Sequence, residues 1–191
     1  MKDATPAQPG TAARPAPASS PKTDAATAAS QAGRRQPFWR WLLLAAVVIL
    51  IDQATKLWFE AEFTYGQRLN ILPFFDFTLV YNPGAAFSFL ADAGGWQRWF
   101  FTLLGLGASG FILWLLRRHG DEPRFALAMS LILGGAIGNV IDRMSYGHVI
   151  DFLLFHWNNA YFPAFNLADS ALTLGAILMI LDELLKLRRR P

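Results

Sequence analysis

Four stretches of the chain are almost continuously apolar over the length that a helix needs to cross a lipid bilayer. About 20 residues span the roughly 30 Å of hydrocarbon. The third stretch is rich in Gly and Ala, which suits close helix packing in lipid. The pattern predicts an all-α integral membrane protein with four transmembrane helices, at residues 39–59, 99–116, 125–141 and 166–185.

The segment between the first two predicted helices has a different pattern. Residues 75–81 partly alternate and are rich in aromatic and β-branched side chains, as expected of a short strand. The strand ends at the turn signal Asn82-Pro83-Gly84. Together with residues 71–75, it predicts a small extracytoplasmic β-containing segment on the outer membrane surface, between helices 1 and 2.

The first 36 residues differ from the rest of the chain. They hold eleven Ala and five Pro, and no bulky apolar residue after Met1. Such a segment cannot bury a core, so we expect residues 1–36 to be a disordered cytoplasmic extension. Residues 37–187 would then form the membrane domain, and residues 188–191 a basic cytoplasmic tail. A cleaved signal peptide is not favoured, because Asp52 stands where its small-residue cleavage site should be.

Charge sets the expected orientation. Of the 17 Lys and Arg residues, six precede Trp41, three lie at residues 117–124 and four follow Leu185. Since basic residues concentrate on the cytoplasmic side, we expect both termini inside. The net charge of +3 is spread over separate places, so no nucleic-acid partner is expected. The absence of cysteine excludes disulfides and thiolate nucleophiles.

Polar residues gather where the predicted helices reach the outer face. Asn139, Asp142 and Arg143 share one face of the third helix, and Asn166 and Asp169 share one face of the fourth. With the predicted topology these two faces lie at one membrane depth. Polar groups in a membrane helix are costly, and are usually functional or paired.

Three further polar residues reach the same depth. Asp151 falls in the outer loop between the third and fourth helices. Asp52 and Lys56 are spaced i, i+4 near the outer end of the first helix, as expected for an ion pair that supports it. We therefore interpret Asp52 and Lys56 as supporting residues.

Clustered carboxylates suggest acid–base chemistry. Two carboxylates a few Å apart share a proton, so one can activate a water while the other polarises a carbonyl. No cofactor or metal is expected, since His148 and His156 lie outside any HExxH motif. Spacing alone leaves open a purely structural clamp between helices, and it does not choose among the acidic residues. Transport is disfavoured, because the inner halves of the predicted helices are almost uncharged apart from Asp182 and Glu183.

Four blocks of sequence resemble the bacterial lipoprotein signal peptidases, the signal peptidase II family. They are Asp-Gln-Ala-Thr-Lys at residues 52–56, Asn-Pro-Gly-Ala-Ala-Phe at 82–87, Gly-Asn-Val-Ile-Asp-Arg at 138–143 with Asp151-Phe152 following, and Phe-Pro-Ala-Phe-Asn-Leu-Ala-Asp-Ser at 162–170. The blocks occur in the family's order at the predicted membrane depth. The similarity covers about residues 38–187.

The resemblance implies an aspartic endopeptidase that removes signal peptides from diacylglyceryl-modified prolipoproteins, cutting before the lipid-bearing Cys. The family's catalytic aspartates fall on Asp151 and Asp169, and residues 37–187 become a membrane peptidase domain. The implied substrate-binding residues are Asn82, Asn139, Asp142, Arg143 and Asn166.

The resemblance also implies partners and a location. The partners would be lipid-modified prolipoproteins and membrane lipids, with no obligate protein partner. The enzyme would be a multi-pass protein of the bacterial inner membrane, with its active site at the extracytoplasmic face. Aromatic residues of the outer segment could cover that site and limit water; they are Phe74, Phe75, Phe77, Phe87 and Phe89.

Overall fold

A computed structural model describes residues 38–84, 90 and 94–188, which fall within one compact unit, Arg35–Pro191. The predictions for residues 1–36, for 189–191 of the tail, and for Phe87 and Phe89 lie outside the described residues. The elements in chain order are α1 (Phe38–Glu62), β1 (Arg68–Leu72), β2 (Phe75–Asn82), α2 (Trp96–His119), α3 (Pro123–Ser145), β3 (Val149–Trp157), β4 (Ala160–Tyr161) and α4 (Leu167–Arg188).

Three helices of the described chain, α1, α2 and α3, are long and apolar enough to cross a membrane. The apolar side chains of α1 and α2 point largely outward, and Leu50 and Leu103 are each 68% exposed, whereas most of α3 is buried. Such surfaces suit a lipid environment, where outward apolar groups cost nothing. The prediction of several apolar membrane helices is therefore confirmed for these three.

The helix α4 matches the fourth predicted span in position and length, with 22 residues. It carries charge at both ends, with Asp169 in its first turn and Asp182, Glu183, Lys186 and Arg188 near its end. Lys186 bridges Asp182 at 2.9 Å and also pairs with Glu122 at the start of α3. These contacts tie the end of α4 to the α2–α3 connection.

The sheet is larger than the sequence predicted. Its four strands are antiparallel neighbours in the order β1-β2-β3-β4. The predicted strand between α1 and α2 is confirmed as β2, but β3 and β4 come from the α3–α4 connection, which was predicted to be a loop. The first four residues of β3 are all buried, so the strand lacks the alternation that would have revealed it.

Two apolar clusters lie on either side of the polar residues. One joins α1, α2 and α3 around Ala45, Leu116 and Met129. The other packs the end of α1 against the sheet, where Phe59 stacks on Phe152 with ring centroids 4.3 Å apart. The second cluster fixes β3, and hence Asp151, relative to α1.

Helices α3 and α4 approach closely through glycine. A Cβ at Gly135 would collide with the backbone carbonyl of Ala168, and one at Gly175 would lie 2.7 Å from the carbonyl of Ala128. Small residues at such crossings let backbones meet in a membrane protein. This contact brings the first turn of α4 against the polar face of α3.

Candidate active site

Asp151 is the third residue of β3 and is buried, with 2% of its surface exposed. It lies opposite Val80 of β2, directly beyond an irregularity in the pairing that follows Phe77. Bulges of this kind redirect side chains beside functional sites. Two amides hold the Asp151 carboxylate: Asn166 donates to Oδ1 at 2.7 Å and Asn82 donates to Oδ2 at 3.2 Å.

Asp169 lies in the first turn of α4 and is partly exposed. Its Oδ1 accepts a hydrogen bond from Asn139 Nδ2 at 2.7 Å. Its backbone N–H donates to Oδ1 of Asn166 at 2.9 Å, an N-cap bond that satisfies one of the free donors at the helix start. One side chain, Asn166, therefore contacts both aspartates.

The backbone before α4 explains the position of Asn166. Phe165 exchanges hydrogen bonds with Leu153 of β3, at 2.8 and 3.0 Å. This short antiparallel pairing sets Asn166 beside Ile150, whose carbonyl accepts from Asn166 Nδ2 at 3.1 Å. The sheet thus carries Asp151 and α4 carries Asp169, and this pairing joins them.

The electrostatics at Asp151 favour a proton. Burial and the nearby carboxylate of Asp169 raise the pKa of Asp151 to about 8, although the hydrogen bonds from Asn82 and Asn166 and the charge of Lys56 act in the opposite direction. A pair of carboxylates in such a setting keeps one proton at neutral pH. The arrangement can therefore supply both an acid and a base.

A cavity of about 720 Å³ opens beside Asp169, between α2, α3 and α4. Its polar lining includes Asn82, Asn139, Arg143 and Asp169. The rest is mostly apolar, with side chains such as Phe101, Leu104, Ala136, Leu172 and Ile177. A pocket with an acidic, amide-rich wall and a long apolar flank suits an amphiphilic ligand.

Arg143 lines this cavity and is nearly buried. Its guanidinium donates to the carbonyls of Gly84 at 2.9 Å and Asn139 at 3.2 Å, and lies over the ring of Phe101. Its Nε has no hydrogen-bond partner among the described residues. Arg143 therefore ties the turn after β2 to α3 at the wall of the cavity.

The predicted ion pair of Asp52 and Lys56 is present, with Nζ 2.8 Å from Asp52 Oδ2. It belongs to a larger buried network, because Lys56 also lies 2.8 Å from Asp142 Oδ2. Asp142 is fully buried and absent from the cavity wall, and its Oδ1 accepts from Gln53 at 2.8 Å. Asn166 is likewise fully buried. Asp142 and Asn166 were predicted to bind substrate, whereas the structure places both behind the cavity lining.

Sequence reasoning gave no role to Gln53 or to a second polar cluster. Gln53 shows a signal in retrospect, since it stands next to Asp52 on the same helix end. In the second cluster, Asp76 of β2 is buried beneath Arg68, Asn70 and His156. Burial alone would raise the pKa of Asp76, but the hydrogen bonds from these three residues outweigh it and hold the pKa below its ordinary value.

Proteins of known family that are similar to this chain identify its family. The model of the family Peptidase_A8, described as signal peptidase (SPase) II, matches residues 44–185. The chain is 57% identical over 149 residues to a lipoprotein signal peptidase of Cupriavidus necator, covering 78% of this chain and 85% of the relative. It is 59% identical over 148 residues to a lipoprotein signal peptidase of Burkholderia thailandensis, covering 78% and 89%.

Solved structures agree with the sequence relatives. A bacterial membrane enzyme solved by the in meso method superposes with a TM-score of 0.72 at 30% identity, over 80% of this chain and 92% of the other. A second such enzyme superposes with a TM-score of 0.67 at 32% identity, over 76% and 92%. With the family match and these identities, the chain belongs to the signal peptidase II family.

Proposed function

We propose that Asp151 and Asp169 are the catalytic pair with which this aspartic membrane peptidase removes signal peptides from prolipoproteins. The observation that carries the assignment is the shared contact of Asn166, which donates to Asp151 Oδ1 and accepts the backbone N–H of Asp169. Asp169 lines the cavity, and Asp151, from a different element of the fold, is hydrogen-bonded to the lining residue Asn82.

Catalysis by this pair follows from their shared proton. The ionised carboxylate takes a proton from a water, whose oxygen attacks the scissile carbonyl, while the protonated carboxyl donates a hydrogen bond to that carbonyl oxygen. The tetrahedral intermediate collapses when the carboxyl that took the proton from water passes it to the leaving amine and the C–N bond breaks. No other group is needed to balance the reaction.

The cavity supports a lipid-bearing substrate. We propose diacylglyceryl-modified prolipoproteins, cut before the lipidated Cys, because the apolar walls offer room for acyl chains next to the acidic end. Asn82, Asn139 and Arg143 line the cavity and would bind the peptide backbone or the lipid ester. Asp142 and Asn166 would act on substrate through these neighbours, since both are fully buried.

The membrane arrangement is part of the proposal. The chain would cross the membrane four times, with α4 as the fourth span and both termini in the cytoplasm. This arrangement would put the sheet and both aspartates at the extracytoplasmic face of the bacterial inner membrane. The basic residues Arg117, Arg118 and Arg124 lie at the α2–α3 connection, opposite the sheet, as the positive-inside rule requires. Residues 37–187 would form the peptidase domain, which would work without an obligate protein partner.

The test is cleavage of a diacylglyceryl-modified precursor by the purified full-length enzyme in lipid vesicles. Asp151→Asn and Asp169→Asn should each abolish cleavage and leave the thermal unfolding temperature in detergent equal to or above that of the wild type. An unlipidated precursor is the substrate control and should remain uncut by the wild type. Cleavage by either Asn variant would refute the assignment of the pair.

A further inference from the structure

A charged amine lies in the interior beside the active site. Lys56 is 1% exposed, and its Nζ lies 2.8 Å from Asp52 Oδ2, 2.8 Å from Asp142 Oδ2 and 3.1 Å from Asn139 Oδ1. An ammonium has three protons, so these three acceptors use its full donor capacity. Burying such a group is costly, and a simple i, i+4 pair with Asp52 does not account for the other two contacts.

The Asp52 arm of this network reaches the first turn of α4. Asp52 Oδ2 contacts Lys56, while Oδ1 accepts the backbone N–H of Ala168 at 2.8 Å. Ala168 immediately precedes Asp169. The position of the Asp52 carboxylate therefore sets the position of the backbone that carries Asp169.

The Asp142 carboxylate connects Lys56 to the backbone that carries Asp151. Asp142 Oδ2 contacts Lys56 and also accepts the backbone N–H of Ile150 at 3.2 Å. Ile150 immediately precedes Asp151. Gln53 donates to Asp142 Oδ1 at 2.8 Å and so restrains rotation of the Asp142 carboxylate.

The third contact of Lys56 orients an amide of the site. Lys56 donates to Asn139 Oδ1, which leaves Asn139 Nδ2 to donate to Asp169 Oδ1 at 2.7 Å. An amide flipped by 180° would present its oxygen to the Asp169 carboxylate and its NH2 to the ammonium, and both contacts would be repulsive. Lys56 thus selects the orientation of Asn139 that serves Asp169.

We propose that Lys56 is a positioning residue that fixes the separation of Asp151 and Asp169. It joins the carboxylates of Asp52 and Asp142, which accept the backbone N–H groups of the residues immediately before Asp169 and Asp151. The inference rests on the proposed catalytic pair. The role explains why a buried ammonium is present where an apolar side chain would pack at lower cost, since polar contacts specify one geometry and apolar contacts tolerate several. A displacement of about 1 Å at a reacting group can cost about 100-fold in rate.

The kinetic test uses Lys56→Met in the full-length enzyme, with Lys186→Met as the matched control. Lys186 also bridges two acidic residues, Glu122 and Asp182, but at the far end of α4. We expect kcat to fall about 100-fold in Lys56→Met with KM for the lipidated precursor changed less than about threefold. Lys186→Met should keep the wild-type kcat. A wild-type kcat in Lys56→Met would overturn the proposal.

If Lys56→Met does not fold, the proposal is tested with Asp52→Asn. It keeps an acceptor for the Ala168 N–H but loses the charge that attracts Lys56. We expect kcat to fall with KM little changed, and the folded fraction by size-exclusion chromatography to match that of the wild type. An unchanged kcat in this folded variant would equally overturn the proposal.

A second test measures the separation itself, independently of activity. The chain has no cysteine, so Asp151→Cys and Asp169→Cys together introduce its only two thiols. Bifunctional methanethiosulfonate reagents with graded spacers should join this pair at one preferred length, and that preference should be lost when Lys56→Met is added. A preference that survives Lys56→Met would overturn the proposal. Failure of the catalytic pair would instead appear as cleavage by Asp151→Asn or Asp169→Asn.

Discussion

Asn166 donates a hydrogen bond from its side-chain amide to Oδ1 of Asp151 at 2.7 Å, across the junction between the sheet and α4. The carbonyl of the same side chain caps α4 at Asp169 N–H. Asn166→Asp should keep the cap but replace the amide donor with a second buried carboxylate against Asp151, so we expect kcat to fall about 100-fold or more and the unfolding temperature to fall as well. Wild-type activity in this variant would contradict the role of the amide.

The Ala substitution removes both contacts of this side chain without adding a charge. Asn166→Ala lacks the cap and the bond to Asp151, so the free energy of unfolding should fall by about 1–3 kcal/mol relative to the wild type. Thermal unfolding of the variant and the wild type in detergent gives the difference. Equal unfolding temperatures would show that the two contacts contribute nothing to stability.

The shared proton predicts how activity depends on pH. Because burial and the carboxylate of Asp169 raise the pKa of Asp151 to about 8, the pair should keep its proton through neutral pH and lose it above about 8. We expect kcat to fall about tenfold per pH unit above that value. The measurement is single-turnover cleavage of the lipidated precursor between pH 5 and 10. A rate that is constant up to pH 10 would contradict a catalytic carboxyl.

The same shift predicts how stability depends on pH. Asp151 binds its proton more tightly in the folded state than in the unfolded one, whose pKa is near 3.8, so its contribution to stability falls as pH rises from about 4 to about 8. Asp151→Asn removes this dependence. The unfolding temperature of the variant should exceed that of the wild type by a margin that grows across this range. A constant margin would contradict the shifted pKa.

Gly138 makes room for the Asp52 carboxylate. A Cβ at this position would lie 2.6 Å from Asp52 Oδ2 and 3.3 Å from the Ala168 Cβ, so Gly138→Ala should destabilise the protein by about 1–3 kcal/mol and lower kcat. Gly110→Ala is the matched control, because its Cβ would meet nothing within 4 Å on α2. The control should be stabilised by about 0.5–1 kcal/mol. Equal unfolding temperatures for the two variants would contradict the close fit at Gly138.

The sequence by itself determined the apolar helices and which polar residues share one face of a helix. Runs such as residues 99–116 are long and apolar enough to leave little alternative to a membrane helix, and helical spacing put Asn139 and Arg143 on one face of α3. Both conclusions rest on the local periodicity of apolar and polar residues, which can be read directly from the sequence. The match of four sequence blocks then indicated the family.

Only the tertiary structure decided which polar groups touch. The sequence did not predict strand β3, because the first residues of the strand are buried on both faces. For the same reason it did not predict the pairing that sets Asn166 between Asp151 and Asp169. The division between Asp142, turned inward to Lys56, and Asp169, turned to the cavity, also depends on contacts between α1, α3 and α4. Side-chain contacts between elements far apart in the chain follow from packing, and no local pattern encodes them.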